Sequence, residues 1–218
     1  MFIQYLFTDF QLYITWIVIV IISAYIHQLA HAAVSYKQTD LAIKRKDYFS
    51  FNPVYYLNYM SLILLVLFGM FWDSFDMENK TYKHKYSKAL VSLAGPLASL
   101  VMVFVFSLLY IVCLKNNLSF IPVHVKKNLL FCFQTGSQAN AVLALFTLIP
   151  LPPLEGSHIA KYLIPAVNKI YEKIGNNGYL LLFLVLCIIP GASHVFWTAA
   201  NLISDVALVS VASIFNLF

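Results

Sequence analysis

QLYITWIVIVIISAYIHQLAHAAVSY, residues Gln11–Tyr36, is apolar along its length and carries two histidines, His27 and His31, in its second half. A bilayer core of about 30 Å needs roughly 20 helical residues, so this stretch is long enough to cross a membrane. Residues four apart stack on one helical face, about 6 Å apart along the axis, and both imidazoles can therefore reach one metal ion. The familiar form of such a pair is H-E-x-x-H, in which the glutamate is general base for a zinc-bound water. Here that position is Gln28. Histidine inside a span is costly and marks function by default; the plain alternative is a polar pair packed within a bundle. Ala30-His31-Ala32 superficially resembles a signal-peptide cleavage site. No Lys or Arg precedes Lys37, so the segment reads as a permanent span.

The rest of the chain agrees. Of 218 residues, 61% are hydrophobic and 11% charged, with mean hydropathy +0.79. Soluble domains carry roughly 45–50% apolar and 25% charged residues, so a water-soluble enzyme, a nucleic-acid binder and a disordered tail are excluded. The net charge of +5 is not a polyanion-binding signal, because the cations sit in short clusters between apolar runs. Cys113, Cys132 and Cys187 lack zinc-ribbon or redox spacing and read as small buried hydrophobes. No nucleic-acid partner is expected; the lipid bilayer is one.

Further spans are Ser87–Leu114 and about Asn128–Pro150. Tyr179–Phe218 is also apolar but is interrupted by Pro190-Gly191, and reads either as two short spans or as a kinked pair. Leu57–Trp72 is marginal for a crossing, and Asp47–Pro53 before it alternates polar and aromatic residues like a strand. The expected fold is an all-α polytopic membrane protein, a helical bundle with a re-entrant or strand-like hairpin. It forms one domain over 1–218, with a core at about 11–165 and C-terminal helices at about 178–218.

A second element complements the histidines. The span ending at Leu148 runs into Ile149-Pro150-Leu151-Pro152-Pro153-Leu154-Glu155-Gly156. Three prolines end the helix and force the chain to extend, holding Glu155 beside the break. A carboxylate there supplies the third ligand that a histidine pair lacks, since catalytic zinc keeps three protein ligands and one water. The alternative is an ordinary helix terminus with an exposed glutamate.

The order of HxxxH, then Leu93-Ala94-Gly95-Pro96-Leu97, then Asn140 with Ile149–Gly156, resembles the site-2 protease family of intramembrane zinc metalloproteases. Phe49-Ser50-Phe51-Asn52-Pro53 is similar to the strand-like stretch of small bacterial and archaeal members. The match runs from about residue 20 to 165. The resemblance implies one Zn2+ per chain held by His27, His31 and Glu155. It implies a substrate cleft near Asn140 and a substrate that is a transmembrane helix of a single-pass protein. Phe49, Phe51, Asn52 and Pro53 either present a strand edge to an unwound substrate or form an interfacial hairpin.

Three departures matter. Gln28 replaces the family's catalytic glutamate, Glu155 its usual aspartate, and Thr147 sits where asparagine is common. An amide nearly matches a carboxylate in shape but takes no proton from water, which costs about 10²–10⁴-fold in rate. His₂Glu remains an ordinary zinc set. Metal binding is therefore expected to survive and peptide hydrolysis to be crippled. Glu→Gln is the isosteric change used to trap proteases, and retention of a zinc set favours an introduced Gln28; Glu155 reads as natural drift. The reading from another class is a non-catalytic pseudoprotease that binds or sequesters transmembrane segments. A small transporter is a third, which no inverted repeat supports.

The motif constrains topology. For His31 and Glu155 to share a metal, the first span and the Asn128–Pro150 span must run parallel, so an odd number of crossings separates them. Ser87–Leu114 is one, hence Leu57–Trp72 is not another. Eleven of the fourteen cations then fall on the zinc side, which places the active-site end in the cytoplasm and the N-terminus outside. Ser92, Gly95 and Ser99 form a small-residue face, which serves either close helix approach or a substrate cleft. His158, three residues after Glu155, reads as a surface residue, with a substitute metal ligand as the alternative; His84, His124 and His194 have no role, and Asp205 is expected to make a polar contact within the bundle.

Overall fold

The computed structural model describes residues 2–39, 59–71, 82–116, 121–152, 154–164, 166–173 and 190–215. A 3₁₀ turn, Phe2–Gln4, leads into α1 (Tyr5–Thr8) and α2 (Phe10–Gln38). They are followed by α3 (Tyr59–Phe68), α4 (Ser87–Lys115), α5 (Val123–Thr147), α6 (Glu155–Leu163), α7 (166–173) and α8 (Pro190–Ile214). Four helices are long and apolar enough to cross a membrane: α2, α4, α5 and, within α8, His194–Ile214. The chain is an all-α, multi-pass integral membrane protein.

α2 and α4 bury their polar and small residues beside the apolar core and turn large apolar side chains outward. On α2 the buried positions recur every three or four residues, and from Ser23 onward they include His27, Gln28, His31 and Ser35. The opposite face exposes Ile14, Val18 and Ile22. α4 likewise buries Ser92, Gly95, Ser99 and Ser107 while exposing Leu97, Val101, Phe104 and Leu108. In lipid, aliphatic side chains have no reason to avoid the surface, whereas polar groups must find partners inside. α2 is started by Asp9, whose carboxylate accepts from Leu12 N–H at 3.0 Å, and stopped by extended backbone at Thr39.

Contacts along the bundle establish direction. Gln11 donates to Asn128 at 3.4 Å at one end of α2, and Glu155, just past α5, meets His27 and His31 near the other. These two helices therefore run parallel. α4 runs against both, with Ser99 beside His27 and Ser107 beside Ser137.

α3 has ten residues, about 15 Å by helical rise, half of a crossing. It ends at Gly69, whose φ of +70° suits glycine and where a side chain would strike the Phe2 ring. Trp16 Nε1–H donates to the Gly69 carbonyl at 2.8 Å and the Tyr13 hydroxyl to that of Val66 at 3.2 Å. These bonds pin the end of α3 against the first half of α2. Thr39 pairs with Tyr82 in an isolated antiparallel bridge, and Lys83 N–H donates to the Gln38 carbonyl at 2.9 Å. The intervening chain thus starts and finishes at the same end of the bundle. Phe49–Pro53 lies outside the described residues, as does Cys187.

α8 begins at Pro190, which suits a first helical position because its missing N–H would have had no partner there. Its inner face carries Ser204, which donates to Ser137 Oγ at 2.8 Å; Ser137 in turn pairs with Ser107 at 3.1 Å. All three serines are buried, so this hydrogen-bonded set ties α4, α5 and α8 together. Asp205 does not make the expected internal contact. One residue on from Ser204 is a rotation of about 100°, which turns Asp205 outward to an exposed position.

Candidate metal centre

The His27 and His31 rings stack edge to face on α2, 4.9 Å apart. Glu155 reaches them because the proline-rich stretch turns sharply. Leu151 N–H donates to the Ile149 carbonyl at 2.8 Å and Leu154 N–H to that of Leu151 at 2.7 Å. The break is therefore a run of tight turns among the described residues, where an extended chain was expected. The turns are buttressed from outside by the Tyr171 hydroxyl, which donates to the Pro150 carbonyl at 2.6 Å. At Gly156 any side chain would collide with the Leu148 carbonyl, so glycine permits the close return.

Glu155 is the first residue of α6, where the helix dipole favours a carboxylate. Its Oε1 lies 2.6 Å from His27 Nε2 and 2.9 Å from His31 Nε2. Far from being an exposed terminus, it is 3% accessible, and both histidines and Gln28 are wholly buried. Burial works to raise the Glu155 pKa; the two imidazoles outweigh it and hold the carboxyl down to about 2.

The outer ring nitrogens are also held. His31 Nδ1 lies 2.6 Å from the Val91 carbonyl, and His27 Nδ1 2.9 Å from Ser99 Oγ. A carbonyl only accepts, so His31 Nδ1 donates to Val91, and Nε2 is the ring nitrogen left to face Glu155 Oε1. Glu155 Oε2 is buried with no hydrogen-bond partner among the described residues, leaving a second carboxylate oxygen available. The three ligand atoms all lie within 4.8 Å of one another. This donor chemistry, two imidazoles and a carboxylate with the outer nitrogens oriented by an oxygen, suits a divalent metal and zinc in particular.

Gly95 closes the site on the α4 side. A Cβ there would fall onto Nε2 of both histidines. The small-residue face is thus also a wall of the candidate metal centre, with Gly95 giving room and Ser99 holding a ring. Ser99→Ala should weaken zinc retention by about tenfold or more while leaving helical content unchanged, measured by competition with a zinc chelator. Retention equal to that of the unmodified chain would show that the serine orients nothing.

Asn140 is buried on α5, its Nδ2 donating to the Gly136 carbonyl at 2.8 Å, and its Oδ1 has no hydrogen-bond partner among the described residues. Thr147 turns its hydroxyl back onto the Leu143 carbonyl at 3.0 Å. His158 is half-buried rather than at the surface. Burial, then Lys88 and Lys161, push its pKa down to about 4, so it is neutral at pH 7. Phe49, Phe51, Asn52 and Pro53 fall outside the described residues.

No protein-family model matches the chain, and no solved structure does. The chain is 31% identical over 203 residues, 92% of its own length and 92% of the relative's, to a Bacillus subtilis (strain 168) protein named "Putative zinc metalloprotease YwhC". Likeness of that extent over nearly the whole of both chains places the present chain in that zinc metalloprotease family.

Proposed function

We propose that the chain is an intramembrane zinc metalloprotease of the site-2 type whose hydrolytic step is slowed by Gln28. The observation that carries the reading is the convergence of His27, His31 and Glu155 within a bundle of apolar spans. By helical rise, His27 lies about 16 Å from the cytoplasm-facing end proposed for α2. Zinc held by these three residues supplies Lewis acidity, polarising a carbonyl and lowering the pKa of water.

The protein's own groups do the rest. Val91 and Ser99 keep both rings turned toward the centre. Gln28 occupies the turn where a proton acceptor is needed, and its amide offers hydrogen bonds without basicity. The substrate is a transmembrane helix, which must unwind locally because its peptide bonds are shielded by their own hydrogen bonds. Asn140, buried on the parallel helix α5, is proposed to contact the unwound segment. Gln28 also favours the second reading, a pseudoprotease that keeps zinc and cleft but only binds transmembrane segments.

Elemental analysis of purified protein beside a His27→Ala variant tests the centre common to both readings. About one zinc per chain is expected, with loss in the variant. No zinc in either, after zinc was supplied throughout expression and purification, would remove both readings.

A further inference from the structure

α8 carries a polar stripe on the side turned away from the bundle. His194, Thr198, Asn201 and Asp205 follow one another at steps of four, three and four residues, so they share one face, and all four are exposed. Asp205 sits near the middle of the His194–Ile214 span, roughly 15 Å from either end by helical rise. Its neighbours Leu202, Val206 and Val209 are 59%, 62% and 54% exposed, as expected of residues that meet lipid. No hydrogen bond or ion pair joins Asp205 to any described residue. The helix is seated without it, through Ala200, Ala207, Val211 and the Ser204–Ser137 bond.

An ionisable group facing lipid at mid-span is costly, and such groups are met with partners. We propose that this stripe is the docking surface for the transmembrane helix of another protein that carries a lysine or arginine near its midpoint. Charge complementarity selects that occupant. An ammonium or guanidinium offers several N–H donors, and the Asp205 carboxylate, the Asn201 side-chain carbonyl and the Thr198 hydroxyl can all accept. A second copy of this chain fits poorly. Side-by-side copies related by an axis along the membrane normal bring Asp205 onto Asp205. In addition, the Lys and Arg residues of this chain lie at or beyond the ends of the spans, with none after Lys173. The surface depends on the membrane topology and on no catalytic property.

The test uses the full chain, fluorescently labelled, in phosphatidylcholine vesicles with a labelled leucine-rich transmembrane peptide bearing one central lysine. Energy transfer should report association about tenfold tighter than for the same peptide with leucine at its centre. Asp205→Leu should lower the lysine peptide to the level of the leucine peptide. Asp205→Lys should lose the lysine peptide and gain one with a central aspartate, and that gain guards against reading a folding defect as lost binding. Equal association of the lysine and leucine peptides, or lysine-peptide binding that survives Asp205→Leu, would overturn the assignment. So would energy transfer between two labelled copies of the chain that Asp205→Leu abolishes, since it would assign the stripe to self-association. Neither zinc content nor cleavage enters the readout, so failure here is separable from failure of the protease reading.

Discussion

Gln28→Glu is expected to raise cleavage of a reconstituted transmembrane substrate by about 10²–10⁴-fold over the unmodified chain. Gln28 is wholly buried and adjoins His27 on the helix that also supplies His31. A carboxylate differs from the amide by one heavy atom of nearly equal size, so the substitution introduces a base without repacking the core. Purified Gln28→Glu would be assayed in vesicles against a panel of single-pass segments, beside the unmodified chain and a Gln28→Glu, His27→Ala double variant. The double variant should return to background, which ties the gain to the metal centre. A zinc-loaded Gln28→Glu chain that stays at background on every segment would sink the protease reading and leave the helix-binding one.

The parts of this molecule that could be read from sequence are those whose information is local or combinatorial. His27 and His31 announce one helical face by their spacing. Glu155 is singled out by prolines that must end a helix, and the requirement that these residues meet already orients α2 and α5 in parallel. Spans were legible from length and apolarity alone, to within a few residues at Phe10–Gln38 and Ser87–Lys115. What escaped depends on which neighbour a position meets. Every residue has a carbonyl, so nothing in the letter for Val91 marks its carbonyl as the partner of His31 Nδ1. Ser92, Gly95 and Ser99 read as a packing face or a cleft wall because small residues serve packing and access alike. The proline-rich stretch was expected to extend, yet Tyr171, sixteen residues beyond Glu155, binds the Pro150 carbonyl and the chain folds into tight turns. Asp205 was placed inside because polar residues in spans usually face inward; the buried register belongs to Ser204.

Gly95→Ala should reduce zinc retention by about a hundredfold, a larger loss than Ser99→Ala. The reason is geometric. A methyl group at position 95 would fall onto Nε2 of both His27 and His31, the atoms that face the Glu155 carboxylate. Neither ring can step aside without cost, since His31 Nδ1 is held by the Val91 carbonyl and His27 Nδ1 by Ser99. Backbone approach between α2 and α4 would have to widen instead, carrying α4 away from the site it walls. Alanine has a better helix propensity than glycine, so the variant should lose no helicity, and circular dichroism provides that check. Zinc retention equal to that of the unmodified chain, with helicity intact, would mean that the two helices can separate freely and that the small residue serves packing alone. Loss of zinc with helicity preserved would show that the glycine of Ala94-Gly95-Pro96 is part of the metal centre, through the space that its missing side chain leaves for the two rings.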